Sequence, residues 1–420
     1  MLVQQYKSGL RLVLNTKKDL DIVSFRIFIN AGSANEEPKE YGIAHFLEHM
    51  FFKSTDKYTY QQLAGLFDEL GTQKNAYTGV YRTCYYFKCL GNVFDKSLEL
   101  FSHMFFNNCF NKQEIENEKK VILEEYKMGK DDAEKSCITN AYQALFYNTN
   151  LEHDVIGTPQ NIIAFKSTDL LAFKQKRYVP QNMVISISGN VTLKQAEKLL
   201  KKHFKPLFDG EYKGDYKLPE YVKLSPKSNF IAQQKDNEQS TVYILTDLGK
   251  KTNREMYAYD LLFAILGYGM SSKFFNIIRG EKALVYNIDA DTTSVGENNL
   301  AEIMFATSTD KVKIALKEIL NILKSCADGN ITQDELEKSK NKYIAGMVYS
   351  NETNGGISMR NGSDLISENK IETFKQITDD INSVTLQEVI NCAKHIYRQQ
   401  NFVVSSVGKC KKSDLCFYKH

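Results

Sequence analysis

The sequence predicts an α+β protein made of two related domains. The chain has 420 residues, more than a single hydrophobic core usually serves, and 42% of them are hydrophobic. Residues 204–223 form a polar stretch rich in Gly, Pro and Lys, which divides the chain into halves of similar length. Both halves show strand-like runs followed by long helical segments. We therefore expect two domains of one architecture, at residues 1–210 and 223–420, joined by a linker at 211–222.

The clearest element of the first half is a helix over residues 111–128. Asn111 and Glu114 have the spacing of a capping box, and Gly129 suits the end of the helix. The other elements follow from runs of β-branched and aromatic residues or from helical periodicity. They are strands at 10–15, 22–29 and 183–190, a strand pair within 75–90, and helices at 60–70, 138–146, 168–177 and 192–203.

The second half repeats the order of a strand, a long helix, a strand pair and further helices. This repetition is the reason to expect two domains of one kind, although the sequence similarity between the halves is low. The predicted elements are strands at 241–246, 286–293, 302–307 and 402–407, and helices at 256–266, 312–327, 332–350 and 386–398.

The composition excludes several classes of protein. The 54 basic and 51 acidic residues leave a formal net charge of +3, which argues against a general nucleic-acid binder or a polybasic membrane protein. None of the eight cysteines forms a C-x-x-C pair, so we expect reduced thiols. The N-terminal residues lack the apolar core of a signal peptide, and no apolar stretch of about 20 residues exists to span a bilayer. We therefore expect a cytoplasmic protein that binds neither nucleic acid nor membranes.

The most specific local pattern is H-x-x-E-H at His45, Glu48 and His49. On a helix, positions three and four apart share one face, so the two imidazoles can bind a single Zn²⁺ ion. The carboxylate between them then lies beside the metal. The alternative is an amphipathic helix with two packed histidines.

A catalytic zinc site needs three protein ligands and a water molecule, so one ligand must come from elsewhere in the chain. The helix predicted at 111–128 is rich in acids, and two of them, Glu118 and Glu125, lie two turns apart on one face. Spacing alone does not choose among its five glutamates, which are Glu114, Glu116, Glu118, Glu124 and Glu125.

With these residues the sequence resembles the pitrilysin/insulinase family of zinc peptidases, in the short-chain branch that contains mitochondrial processing peptidase and bacterial processing-peptidase-like proteins. The family places a Glu about 76 residues after the motif, and Glu125 lies 76 residues after His49. The resemblance implies that His45, His49 and Glu125 bind one Zn²⁺ per chain and that Glu48 is the general base. Glu118 matches a second acid that supports a ligand histidine from outside the metal sphere. The implied fold is two α/β-sandwich domains, each with a mixed or antiparallel sheet flanked by helices.

Further segments carry the same resemblance. Residues 71–87 are similar to an edge strand of the family, on which Asn75 and Ala76 would align an extended peptide by strand addition. Tyr81 replaces an acid that is frequent there, so the resemblance does not extend to the preference of processing peptidases for basic residues. In the second half, Arg279 and Tyr286 match the family's Arg/Tyr pair and would donate hydrogen bonds to the substrate carbonyl and its oxyanion.

The resemblance implies a zinc endopeptidase that hydrolyses unfolded or short polypeptides in an enclosed chamber. Long members of the family build this chamber from four domains, so a two-domain chain would need two copies facing each other. We expect a homodimer in which each zinc meets Arg279 and Tyr286 of the opposite protomer; a monomer and a heterodimer are the alternatives. Two other functions stay open at this point: a catalytically inactive scaffold or partner subunit, and a metal hydrolase of another kind.

Overall fold

Helices and strands follow one another through both halves of the chain. The structure is a computed structural model that describes residues 1–18, 21–212, 218–399 and 401–416. The elements before residue 210 are β1 (Leu2–Gln5), β2 (Arg11–Thr16), β3 (Ile22–Ile29), α1 (Ile43–Phe51), α2 (Tyr60–Glu69), β4 (Gln73–Thr78), β5 (Thr83–Leu90), α3 (Phe94–Phe106), α4 (Lys112–Asp131), α5 (Ala133–Leu145), α6 (Pro159–Ala164), α7 (Ser167–Arg177), β6 (Met183–Gly189) and α8 (Leu193–His203). Those that follow are β7 (Phe230–Gln234), β8 (Ser240–Gly249), α9 (Asn253–Gly267), β9 (Ile288–Val295), β10 (Asn298–Thr307), α10 (Thr309–Ala327), α11 (Gln333–Ser350), α12 (Asn354–Glu368), α13 (Phe374–Ser383), α14 (Leu386–Arg398), β11 (Phe402–Gly408) and α15 (Lys412–Leu415).

Two mixed β-sheets organise these elements. The first has the strand order β1-β2-β6-β3-β5-β4, and the second has the order β7-β11-β8-β10-β9. Apart from β1, the two sheets match strand for strand: one parallel pair, β2 with β6 or β7 with β11, is followed by three antiparallel pairs. The expectation of two related α+β domains with mixed sheets flanked by helices is confirmed.

Central strands of the first sheet are buried on both faces. Every residue of β6 is buried, because helices cover the sheet on each side. On one face, Phe25 and Ile27 of β3 join a core that includes Phe46 of α1. On the other face, Phe28 of β3 packs with Leu365 of α12. This double burial explains why these strands read as continuous apolar runs instead of alternating ones.

The chain divides into two compact units that are not contiguous in sequence. The first contains Met1–Tyr126, His153–Pro219 and Val348–Ile371, and the second contains Lys127–Glu152, Glu220–Met347 and Glu372–His420. A boundary at Pro219/Glu220 falls inside the linker expected at 211–222, of which residues 213–217 lie outside the described part. The predicted domains are contiguous in sequence, whereas each of these units also contains a helix from the other half of the chain.

The exchanged helices are α5 and α12. In the second unit, α5 packs on β8 and β11, where the Cys137 thiol donates to the carbonyl of Ser405 at 3.2 Å. In the first unit, α12 packs on β3 and β6, where the Ser358 and Ser24 hydroxyls are 2.8 Å apart. Helical periodicity shows which face of a helix is apolar, and it carries no information on which sheet that face will cover.

Close packing of α12 depends on Gly362. A Cβ atom built on Gly362 would lie 2.2 Å from Cε2 of Phe28, far inside van der Waals contact. We predict that Gly362→Ala lowers the free energy of unfolding by ~1–3 kcal/mol, as overpacked core substitutions do. Urea denaturation of both proteins measures this change. The control is Gly65→Ala in α2, where an added Cβ meets nothing within 4 Å; it should be neutral or should stabilise by up to ~1 kcal/mol. Equal stabilities of the two variants would contradict the packing argument.

Several element boundaries differ from the sequence predictions. Helix α4 continues through Gly129 to Asp131, because a helical Gly is tolerated where the chain has no need to turn. Strand β9 begins at Ile288, so Tyr286 precedes it. The sequence predictions also missed β1, β7, α3, α6, α12, α13 and α15.

None of the helices in the described part of the chain has the length and the apolar character that crossing a membrane requires.

Candidate metal centre

Helix α1 presents the three residues of the H-x-x-E-H pattern on one side. The helix has nine residues, and its opposite side buries Phe46, Leu47 and Met50 in the core. Burial of that apolar side forces His45, Glu48 and His49 toward the remaining side. The two imidazole rings have centroids 4.6 Å apart. The predicted helical placement of the pattern is therefore confirmed.

Helix α4 brings one of its glutamates to these histidines. Glu125 Oε2 lies 3.5 Å from His49 Nε2 and 3.8 Å from His45 Nε2. One ligand atom from each of the three residues lies within 4.8 Å of the others. Ligands bound to one tetrahedral ion at ~2.1 Å are about 3.4 Å apart, so two imidazoles and a carboxylate at these distances fit a zinc-type site with a position left for water.

Glu118 supports this arrangement from behind His49. Its Oε1 accepts a hydrogen bond from His49 Nδ1 at 2.8 Å, and its Oε2 forms an ion pair with Lys53. The bond at Nδ1 leaves Nε2 of His49 to face Glu125, which is the orientation that a metal ligand needs. Burial raises the pKa of Glu118, but His49 and Lys53 lower it more, so its pKa is below the usual range. Glu118 is therefore an ionised carboxylate at neutral pH.

The carboxylates of Glu118 and Glu125 both affect the protonation of His49. Burial lowers the pKa of this imidazole, while the hydrogen bonds to Glu118 and Glu125 outweigh burial and raise the pKa to about 9. A metal ion that binds at neutral pH must therefore displace a proton from His49.

Glu48 lies beside the three-residue group and is not part of it. Its Oε2 accepts a hydrogen bond from the Thr78 hydroxyl at 2.8 Å. Burial raises the pKa of Glu48 above its usual range, and the Thr78 hydroxyl opposes part of this rise. A carboxylate with a raised pKa is a stronger proton acceptor than an ordinary one.

The other glutamates of α4 serve elsewhere or lie outside the three-residue group. Glu114 accepts a hydrogen bond from the Ser54 hydroxyl at 2.5 Å, and Glu116 pairs with Lys119 at 2.8 Å. Glu124 also lies outside the group. Among the five glutamates, Glu125 is the one that the structure places in a group with both histidines.

Asn75 and Ala76 lie on β4, which is the edge strand of the first sheet. On the inner side they pair with Tyr86 and Tyr85 of β5. The Asn75 side chain accepts a hydrogen bond from the Ala76 N–H at 2.8 Å. Strand β4 ends at Thr78, whose hydroxyl donates to Glu48, so the edge strand and the Glu48 carboxyl are neighbours.

Arg279 and Tyr286 lie in the second unit and contact each other. Arg279 belongs to a π-helical segment, Phe275–Glu281, and its guanidinium carbon is 4.5 Å from the ring centroid of Phe275 and 5.4 Å from that of Tyr286. The Tyr286 residue is 80% exposed. The structure thus places Arg279 and Tyr286 in contact with each other, and their role toward a substrate stays a prediction.

Sequence reasoning missed two contacts of the site. Thr78 lies in the predicted strand pair, and no function is predicted for it. Its spacing of two residues from Ala76 places both side chains on the same face of the strand, which could have indicated a contact with the site. Lys53 follows His49 by four residues, a spacing that could have indicated a shared face. Within the described residues, the group on α1 and α4 is the only set of three side chains placed to hold a metal ion.

Comparison with known proteins identifies similar chains. A family model described as Insulinase (Peptidase family M16) matches residues 11–159, and another described as Peptidase M16 inactive domain matches residues 164–343. YmxG of Bacillus subtilis, named an uncharacterized zinc protease, is 28% identical over 396 residues that cover 94% of this chain and 95% of the relative. A protein of the same description from Rickettsia bellii is 29% identical over 396 residues, covering 94% of each chain.

Solved structures show the same fold over the whole length. A protease from Helicobacter pylori has a TM-score of 0.88 and 22% identity, covering 97% of this chain and 99% of that chain. An M16-like peptidase from Alicyclobacillus acidocaldarius has a TM-score of 0.81 and 18% identity, with 97% of each chain covered. Both domains of the described fold thus occur together in these structures.

Proposed function

The chain belongs to the insulinase family of peptidases, family M16, and on that premise we propose that it is a zinc-dependent endopeptidase acting on unfolded or short polypeptides. The observation that carries the proposal is the joint placement of His45, His49 and Glu125 around one point with the Glu48 carboxyl beside it. The relatives' name of zinc protease supports the choice of metal. An inactive scaffold is the weaker reading, because such a protein has no need of a complete donor set.

The residues of the site have separate tasks in peptide hydrolysis. A bound Zn²⁺ supplies Lewis acidity, which lowers the pKa of a bound water toward about 7 and polarises the substrate carbonyl. Glu48 removes the proton from the attacking water and then passes it to the leaving amine. Thr78 holds the Glu48 carboxyl in place for both transfers. Glu118 keeps the His49 ring oriented and does not itself touch the substrate.

We infer that substrates add to the first sheet as an extra strand along β4. Its main chain is paired with β5 on one side only within the described sheet, so its outer side can bond an extended peptide. Asn75 and Ala76 then align the peptide, and the Asn75 side chain gives up its bond to the Ala76 N–H. Main-chain recognition of this kind accepts many sequences and requires an unfolded segment.

We further propose that two copies of the chain form a chamber. By the family resemblance, Arg279 and Tyr286 act on a substrate held at the zinc of the opposite protomer, where they donate hydrogen bonds to the developing oxyanion. The exposure of Tyr286 and its contact with the Arg279 guanidinium support such a role. A heterodimer with a separate chain, or a monomer, is the alternative assembly. The location we propose is the cytoplasm.

The substrate class can be tested with one protein in two states. We predict that the enzyme cleaves a reduced, alkylated and unfolded protein and leaves the same protein intact when it is folded with its disulfides. The reason is that strand addition to β4 needs a free extended segment. Gel electrophoresis of timed digests measures both rates. A metal chelator should stop cleavage, and rapid digestion of the folded form would contradict the proposed substrate class.

A further inference from the structure

A buried Glu–His pair holds the residues at which α1 begins. The Glu36 side chain is 0% exposed. Its Oε2 accepts a hydrogen bond from the Gly42 N–H at 2.8 Å, and its Oε1 accepts one from the Ala44 N–H at 2.9 Å. His153 Nε2 lies 3.2 Å from Glu36 Oε2. One carboxylate therefore binds two main-chain donors of the first helical turn and one imidazole.

The segment that contains His153 encloses the same turn from the other side. The imidazole stacks on the Tyr41 ring with centroids 3.6 Å apart, and the Asn161 amide donates to the Tyr41 carbonyl at 3.3 Å. Gly42 has a φ of +97°, and a Cβ at this residue would lie 2.6 Å from the Ile156 carbonyl oxygen. The main chain at Tyr41 and Gly42 is thus enclosed on both sides and has little room to move.

The position of this turn bears directly on the metal ligands. Helix α1 begins at Ile43, so His45 is its third residue and follows Ala44, whose N–H is bound by Glu36. Main-chain N–H groups of a first helical turn have no partner within the helix, and a carboxylate there also complements the helix dipole. A shift of this turn moves His45 relative to Glu125, which is on a different helix.

We propose that Glu36 and His153 are positioning residues, which fix the start of α1 so that His45 meets the metal ion bound by His49 and Glu125. This inference rests on the proposed zinc site. Neither residue touches the metal or the substrate; both act through the main chain between Tyr41 and Ala44. The expected effect of losing them is weaker metal binding in a protein that stays folded.

The test measures zinc affinity of the metal-free protein by competition with a chromophoric chelator. Glu36→Gln replaces one carboxylate oxygen with an NH₂ group, which cannot accept the hydrogen bond of a main-chain N–H. His153→Phe keeps an aromatic ring stacked on Tyr41 and removes the hydrogen bond to Glu36. Each should weaken zinc binding by roughly 10–100-fold, as losses outside the metal sphere do. His153→Gln, which restores an N–H donor, should recover part of the affinity. The absorption spectrum of bound Co²⁺ should change in the same order.

A matched control separates positioning from stability. The Thr192 hydroxyl caps α8 by accepting a hydrogen bond from the Gln195 N–H at 3.4 Å. Thr192→Ala removes this cap and should lower the melting temperature without changing zinc affinity. The positioning role would be overturned if both variants fold and bind zinc as tightly as the wild type. In that case the peptidase proposal would still be supported by zinc binding and cleavage of the wild-type protein. If Glu36→Gln does not fold, His153→Phe decides alone. A wild-type protein that binds no zinc would overturn both proposals.

Discussion

Glu48→Gln is expected to keep its zinc and lose its activity, whereas His45→Ala, His49→Ala and Glu125→Ala should lose both. A glutamine has nearly the same shape as Glu48 and still accepts the hydrogen bond from Thr78, but it cannot take a proton from water. Loss of a general base lowers kcat by ~10²–10⁴-fold. Metal analysis of the purified proteins and cleavage of a quenched peptide library measure the two effects separately.

Glu118→Ala should fall between these classes. Its loss removes the support of His49 but no metal ligand, so zinc affinity should weaken by roughly 10–100-fold. Glu116→Gln on the same helix is a matched control, because Glu116 pairs only with the nearby Lys119 among the described contacts and should leave metal binding unchanged. A Glu48→Gln protein as poor in zinc as His49→Ala would show that the assignment of base and ligand is wrong.

Mixing two inactive proteins should restore activity if the site is shared between protomers. Glu48→Gln lacks the base, and Tyr286→Phe lacks a donor to the oxyanion, whose loss costs ~10²–10³-fold in kcat. A hybrid dimer combines Glu48 of one protomer with Tyr286 of the other and so has one intact site. Random exchange makes half of the dimers hybrid, so activity should approach about a quarter of the wild-type value.

Subunit exchange must be verified independently, by native mass spectrometry of size-tagged chains. If hybrids form and no activity returns, the hypothesis of a shared site is wrong. Arg279 and Tyr286 would then act within their own protomer or together with a different partner chain. A mixture of Glu48→Gln with His49→Ala is the negative control, because both changes fall on the same side of the proposed composite site and no intact site can arise.

The parts of the site that lie on one helix were predictable from the sequence. His45, Glu48 and His49 are close because helix geometry brings positions three and four apart together, and that geometry is local. Glu125 joins them from a different helix, so spacing within α4 could not separate it from four other glutamates. The family resemblance supplied that choice, and the distances to both histidines support it.

Features that depend on tertiary packing were not predictable. Nothing in the periodicity of α5 or α12 indicates which sheet each helix covers, so the exchange of helices between the units appeared only in the structure. Glu36 is one of several charged residues in a loop, and its burial against the start of α1 depends on His153, over a hundred residues away. Side-chain roles of this kind arise from contacts between distant segments, which a single sequence does not encode as a pattern.

The central claim is that one zinc ion held by His45, His49 and Glu125 makes this chain a peptidase. The most direct measurement is a titration of zinc into metal-free wild-type protein, with cleavage of a quenched peptide followed at each addition. Our account predicts no cleavage at the start, a linear rise with added zinc, and a plateau at about one equivalent per chain. Full cleavage by the metal-free protein, or none after one equivalent has bound, would contradict it.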